Sequence, residues 1–107
     1  MPNCPEIRHG ASLNPCYMGA IDIVVMPNMG QFEDDEDYYA ALLHELLHST
    51  GHKSRLNRFE KREGENREER YGFEELVAEL GAAFLSASCG LDNSSRLDDA
   101  SAYLAGW

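Results

Sequence analysis

The stretch "ALLHELLHSTGH", residues 41–52, narrows the folds open to this chain more than any other feature. Leu42, Leu43, Leu46 and Leu47 recur at helical spacing and call for an apolar stripe. His44, Glu45 and His48 interrupt them. Imidazole and carboxylate groups are costly to bury unless they are paired or bound to something. The helix must therefore turn these three residues to solvent or face them into a built polar site whose other wall comes from elsewhere in the chain. Histidines four apart stand one turn above each other, so their rings can converge on one ion. Glu45 lies about 100° around the helix from His44 and can reach a ligand of that ion without being one. This is the H-E-x-x-H arrangement, in which two histidines bind zinc and the glutamate is a general base. Neutral imidazole suits a borderline-soft cation. A carboxylate beside it can take a proton from a metal-activated water and pass it to a leaving amine.

A catalytic zinc needs a third protein ligand. The metzincin continuation H-x-x-G-x-x-H fails, because Ser54 stands at its last position. His52 follows a turn at Gly51 and reads as a histidine favoured at a helix C-terminus by the dipole. A second helix, from about Tyr71 to Cys89 and ending at Gly90, offers the alternative. Phe73, Leu76, Val77, Leu80 and Phe84 form its expected core stripe, as Tyr39, Leu42, Leu43, Leu46 and Thr50 do in the first helix. Glu75, Ala78, Glu79, Ala82 and Ser86 form a second stripe of carboxylates among small residues. Like charges one turn apart repel, and a cation between the helices removes the conflict. Glu75 is assigned as the third ligand. Glu79 is placed behind it, accepting an N–H from a ligand histidine, with the two roles interchangeable. Glu74 is expected to face solvent.

The 107 residues fit one domain. Net charge is −10, from 19 acidic residues against 9 Lys and Arg, which argues against gripping a phosphate backbone. The three cysteines are widely spaced with no C-x-x-C, which reads as reduced thiols rather than a sulfur-based zinc site. No signal peptide or membrane-spanning run is visible, and a cytoplasmic location is expected. Residues 1–19 read as irregular chain. "AIDIVVMP" reads as one strand ended by Pro27, and as a possible edge for a peptide substrate. The first helix is expected from about Phe32 to Thr50, with acidic residues at its positive end and Gly51 as its stop. A long charged connection follows from His52 to Arg70, with room for a short helical turn, and a third helix is expected from near Ser95 to Trp107.

"YYAALLHELLHSTGHKSRLNR" followed by "YGFEELVAELGAAFL" resembles the metallopeptidase domain of ArdC-type antirestriction proteins and related plasmid or phage polyproteins. The E-x-x-x-E after H-E-x-x-H also resembles the gluzincins. The likeness runs from "IDIVVMP" to "SAYLAGW". It implies a metal held by His44, His48 and Glu75, with Glu45 as the catalytic glutamate. The resemblance implies that full-length family members carry an N-terminal single-stranded DNA-binding domain, which is expected to be absent from residues 1–107. The last helix is shorter than the family's, so residues 1–107 are expected to be a single domain truncated at its C-terminus.

The expected fold is α+β and mainly helical: a minimal zincin-like domain with a small β element beside an HExxH helix and a Glu-bearing helix. The expected cofactor is Zn2+, with Mn2+ as the alternative, and the expected partner is a peptide or protein substrate. No nucleic acid is expected to bind this acidic piece directly and no membrane is expected to hold it; the oligomeric state is left open. The expected activity is metal-dependent peptide hydrolysis within an antirestriction-type protein of a mobile element. A competing expectation is a catalytically weak metal-binding module that accompanies a DNA-binding domain. Tyr71, His52, Tyr17 and Arg55 are candidates for stabilising an oxyanion.

Overall fold

Ile23, Val24, Val25 and Met26 are β-branched or apolar in an unbroken run, the pattern of a strand buried on both faces. A computed structural model, which describes residues 3–11, 13–59, 66–90 and 105, places them at the centre of a three-stranded sheet. Strand β1 (Glu6–His9) pairs with β3 (Ile23–Met26) in parallel, and β2 (Cys16–Met18) pairs with it antiparallel. The order is β1-β3-β2. "AIDIVVMP" is thus the central strand and not a free edge; β2 is an edge. The first 19 residues, read as irregular, supply both flanking strands. Strands of four and three residues among Pro, Gly and Asn carry almost no periodic signal, and their pairing with β3 is non-local.

The β3 strand also starts later than its β-branched run suggests. Ile21 is exposed, and Asp22 has φ of +55°. Asparagine and aspartate tolerate this left-handed geometry better than other side chains. The Asp22 carboxylate accepts two N–H groups from Arg55, at 2.9 and 2.8 Å, and the Tyr17 hydroxyl at 2.7 Å. Arg55 also donates to the carbonyls of Ser49 and Asn3. One guanidinium therefore joins the β2–β3 turn, the end of the first helix and the N-terminal segment. The Arg55 guanidinium holds the Asp22 carboxyl down at about 2, while burial and Asp22 push Tyr17 up to about 12. Because Asp22 binds its proton less readily when folded, its stabilising contribution is present above about pH 4. It is lost as pH falls toward about 2. Asp22→Asn is expected to lower the urea midpoint at neutral pH, with the gap to the unaltered chain closing across that window. A gap that stays constant down to about pH 2 would show that Asp22 does not act through its charge.

A 3-10 turn (Met29–Gln31) leads into helix α1 (Asp35–Ser49). Asp34 caps it by accepting the Asp37 amide at 2.8 Å, so the helix starts three residues after Phe32. Tyr38, not Tyr39, enters the core with Val24 and Met26, and Leu42 and Leu46 pack against them. Tyr38 stacks on His9, lies edge-on to Phe32, and its hydroxyl is 2.6 Å from His9 Nε2. This contact seats α1 on β1. The helix ends at Ser49 with Thr50 still in right-handed geometry. Gly51 is small for a different reason: a Cβ there would lie 2.7 Å from the Phe59 ring.

Helix α2 (Arg67–Ser88) is capped by Asn66 and starts four residues before Tyr71, so part of the charged connection is helical. The stripe that packs on α1 is the small-residue one. Ala78, Ala82, Ala83 and Ser86 are buried, whereas Phe73 and Phe84 of the expected core stripe are 52% and 72% exposed. Small residues let the helix backbones approach closely. A Cβ on Gly81 would sit 2.5 Å from Leu47 Cδ1. Among the described residues no helix is long and apolar enough to cross a membrane, and Cys4, Cys16 and Cys89 are free and exposed. The expected third helix falls outside the described residues, apart from position 105.

Candidate metal centre

Close packing of α1 on α2 brings the two polar seams together. His44 and His48 stand one turn apart with ring centroids 4.9 Å from each other. One donor atom each from His44, His48 and Glu75 lies within 4.8 Å of the others. Glu75 faces both rings, with Oε2 3.6 Å from His44 Nε2 and Oε1 3.1 Å from His48 Nε2. Glu79 stands on the other side of His44, 3.0 Å from Nδ1. His44, His48 and Glu75 could therefore share an ion through Nε2, Nε2 and a carboxylate oxygen. Glu79 is placed to accept the remaining His44 N–H.

Glu74 departs from expectation. It does not face solvent: its side chain is 16% exposed, and it receives Arg58 Nε at 2.8 Å and Nη2 at 3.2 Å. It also lies 3.5 Å from His48 Nδ1. Burial alone would raise the Glu74 carboxyl, but His48 and Arg58 outweigh it and hold the carboxyl below its ordinary value. Burial likewise pulls His48 down, and Glu74, Glu75 and Glu45 more than compensate, so its ring holds a proton more tightly than usual. The two residues missed in the sequence are thus Glu74 and Arg58. The adjacent "EE" of α2 was the available signal: neighbours 100° apart on a helix can approach one histidine at its two nitrogens.

Glu45 leaves α1 toward the sheet. It is buried beside β2, where the Tyr17 backbone amide donates to it. Burial pushes its carboxyl up; His44 and His48 oppose this, and Glu75 adds to it. A cleft of about 780 Å³ opens over the group. Pro15, Cys16, Tyr17 and Gly19 of the β2 edge line it, as do Arg67, Arg70, Tyr71 and Phe73 at the start of α2. Of the oxyanion candidates, Tyr71 lies on the rim of this cleft. The Tyr17 hydroxyl and Arg55 are committed to Asp22, and the His52 ring is bonded to Ser54.

The fold has solved counterparts. A crystal structure of the antirestriction protein ArdC from plasmid R388 with Mn(II) bound superposes with a TM-score of 0.75 at 37% identity. That match covers 97% of this chain and 39% of the other. Its metal-free form gives a TM-score of 0.70 at 35% identity, over 92% of this chain and 37% of that one. An uncharacterized protein of Sinorhizobium fredii is 39% identical over 102 residues. A DNA primase TraC of Escherichia coli is 37% identical over 101. The chain spans 32% of the first of these relatives and 9% of the second. The fold, two helices against a small three-stranded sheet, is that of ArdC's zincin-like part. Residues 4–107 match the family described as zincin-like metallopeptidase, MPTase-PolyVal, and this chain belongs to that family.

Proposed function

We propose that this domain is a divalent-metal-dependent peptidase, with His44, His48 and Glu75 as ligands and Glu45 as general base. The observation that carries the reading is the convergence of three donors from two helices within 4.8 Å, beside a buried glutamate. The donor set fits the ion. Two imidazoles and one carboxylate are a zinc set, and the related ArdC structure holds Mn(II). Three carboxylates, Glu74, Glu75 and Glu79, crowd the two rings, and a cation relieves their mutual repulsion. When bound, such an ion polarises a carbonyl and acidifies water at its open position.

The chain's own residues do the rest. Glu45, buried beside the two histidines, is poised to accept a proton from the attacking water and return it to the leaving amine. Glu79 holds the His44 ring with Nε2 toward the site. Strand β2 is an edge of the sheet at the cleft wall, where an extended peptide can lie alongside it. Such a domain would be the peptidase part of an antirestriction-type protein of a mobile element, as the likeness to ArdC suggests.

The test is to load the purified chain with Zn2+ or Mn2+ and read cleavage of a broad peptide library by mass spectrometry. Cleavage that stops on chelation and returns with metal supports the reading. Tight metal binding without cleavage would replace it with a metal-binding interaction module.

A further inference from the structure

The main cleft changes in charge along α2. It runs from Arg67 and Arg70, at the start of the helix, to Glu74 and Glu75 beside the two histidines. Arg58 also lines it, so three of the chain's nine Lys and Arg collect in one cleft of a protein with net charge −10. The three differ in their partners. Arg58 is bound to Glu74 and to the end of α1. Arg70 donates to the Phe59 carbonyl. Arg67 is exposed, and none of the described residues is hydrogen-bonded to it or ion-paired with it. Its neighbours Glu68 and Glu69 are not among the residues that line the cleft.

Arg67, Tyr71 and Glu75 are successive positions four apart on α2, so they share one face of the helix. The rise from Arg67 to Glu75 is about 12 Å, which an extended peptide spans in about three to four residues. Tyr71 lies between them on that face, 69% exposed, and offers an aromatic surface to the peptide in the cleft. A smaller cavity of about 300 Å³ shares Pro15, His44 and Glu45 with the main cleft and reaches past Ala82 and Ala83. A chain therefore has room on both sides of His44 and Glu45, as an internal peptide bond requires. We infer that Arg67 selects substrates with an Asp or Glu side chain about three residues from the cleaved bond. The inference rests on the peptidase reading for the position of that bond, but not for the binding of the carboxylate. An unpaired guanidinium suits a carboxylate, which it can take bidentately. One such group in a cleft with three glutamates is a poor match for a phosphate backbone, which needs clustered cations.

The experiment uses a peptide library with acetylated and amidated ends, so that side chains supply every carboxylate. The Zn2+-loaded chain reads cleavage, and Zn2+-loaded Glu45→Gln reads retention of uncleaved peptides, both by mass spectrometry. Asp and Glu are expected to be enriched about two- to fivefold near the third position on one side of the cut, and among the retained peptides, the size of a solvent-exposed ion pair. The enrichment is expected to shrink in high salt. Arg67→Ala is expected to abolish it, and Arg67→Glu to replace it with enrichment of Lys and Arg. Both variants leave the Asn66 cap of α2 in place, and melting checks that they fold. Cleavage with no acidic preference, or with the same preference in Arg67→Ala, overturns the inference and leaves the peptidase reading standing. Arg67-dependent retention of acidic peptides, with no cleavage by the unaltered chain, upholds the Arg67 site and removes the peptidase reading. Absence of both readouts overturns the inference. A preference that appears only when carboxyl ends are left free assigns Arg67 to a chain terminus and overturns the side-chain assignment. Retention of a single-stranded oligonucleotide that is lost in Arg67→Ala assigns the guanidinium to nucleic acid and also overturns it.

Discussion

Glu45→Gln is expected to keep metal affinity within about twofold while lowering peptide turnover by about 10²–10⁴-fold, the usual span of general acid–base catalysis. The change is nearly isosteric, and the amide oxygen can still accept the Tyr17 N–H. What it removes is the ability to take up and release a proton. Glu45 is buried, so neutralising it also relieves a desolvation cost. The variant should melt no lower than the unaltered chain. Loss of turnover with intact melting and metal content isolates the base from the fold. Equal turnover in both proteins would remove Glu45 from the mechanism.

The second large effect separates the two glutamates one turn apart on α2. Glu75→Ala is expected to weaken metal binding by about two to three orders of magnitude, each ligand's share of a typical site affinity. Glu79→Ala is expected to cost about 10-fold to 100-fold, as a partner behind a ligand does. The basis is position: Glu75 faces the Nε2 atoms of both histidines, and Glu79 faces Nδ1 of one. Chelator competition measures both. If Glu79→Ala proves the costlier change, the assignment is reversed.

The site was more legible in the sequence than the packing around it. H-E-x-x-H fixes the relation of His44, Glu45 and His48 through helix geometry alone. The Glu75 and Glu79 stripe follows from the same periodicity on a second helix. Periodicity does not say which stripe faces inward. Leucine and phenylalanine spacing pointed to Phe73 and Phe84, yet alanine and serine took the interface, because the polar groups they flank had to meet the histidines. Tyr38 and Tyr39 are adjacent, and only the sheet's placement chose Tyr38. Strands β1 and β2 were hidden because three or four residues show no pattern until a partner is known. Arg58 was visible in the R-L-x-R run, but its hold on Glu74 crosses a segment whose path composition does not reveal.

The alanine-rich contact between α1 and α2 has a consequence for folding. Of the eight buried apolar residues among those described, four are alanines: Ala40, Ala78, Ala82 and Ala83. Each removes little hydrocarbon from water, so the helix pair is close but weakly driven. An ion shared by His44, His48 and Glu75 ties together points about 30 residues apart in the chain and works as a reversible crosslink. At a free metal concentration about a hundredfold above Kd, such binding adds about 2.7 kcal/mol to folding. That is a sizeable share of what a domain this small holds in total. On the proposed metal role, the folded population of the chain would track the metal supply, and the ion would act as a structural fastener.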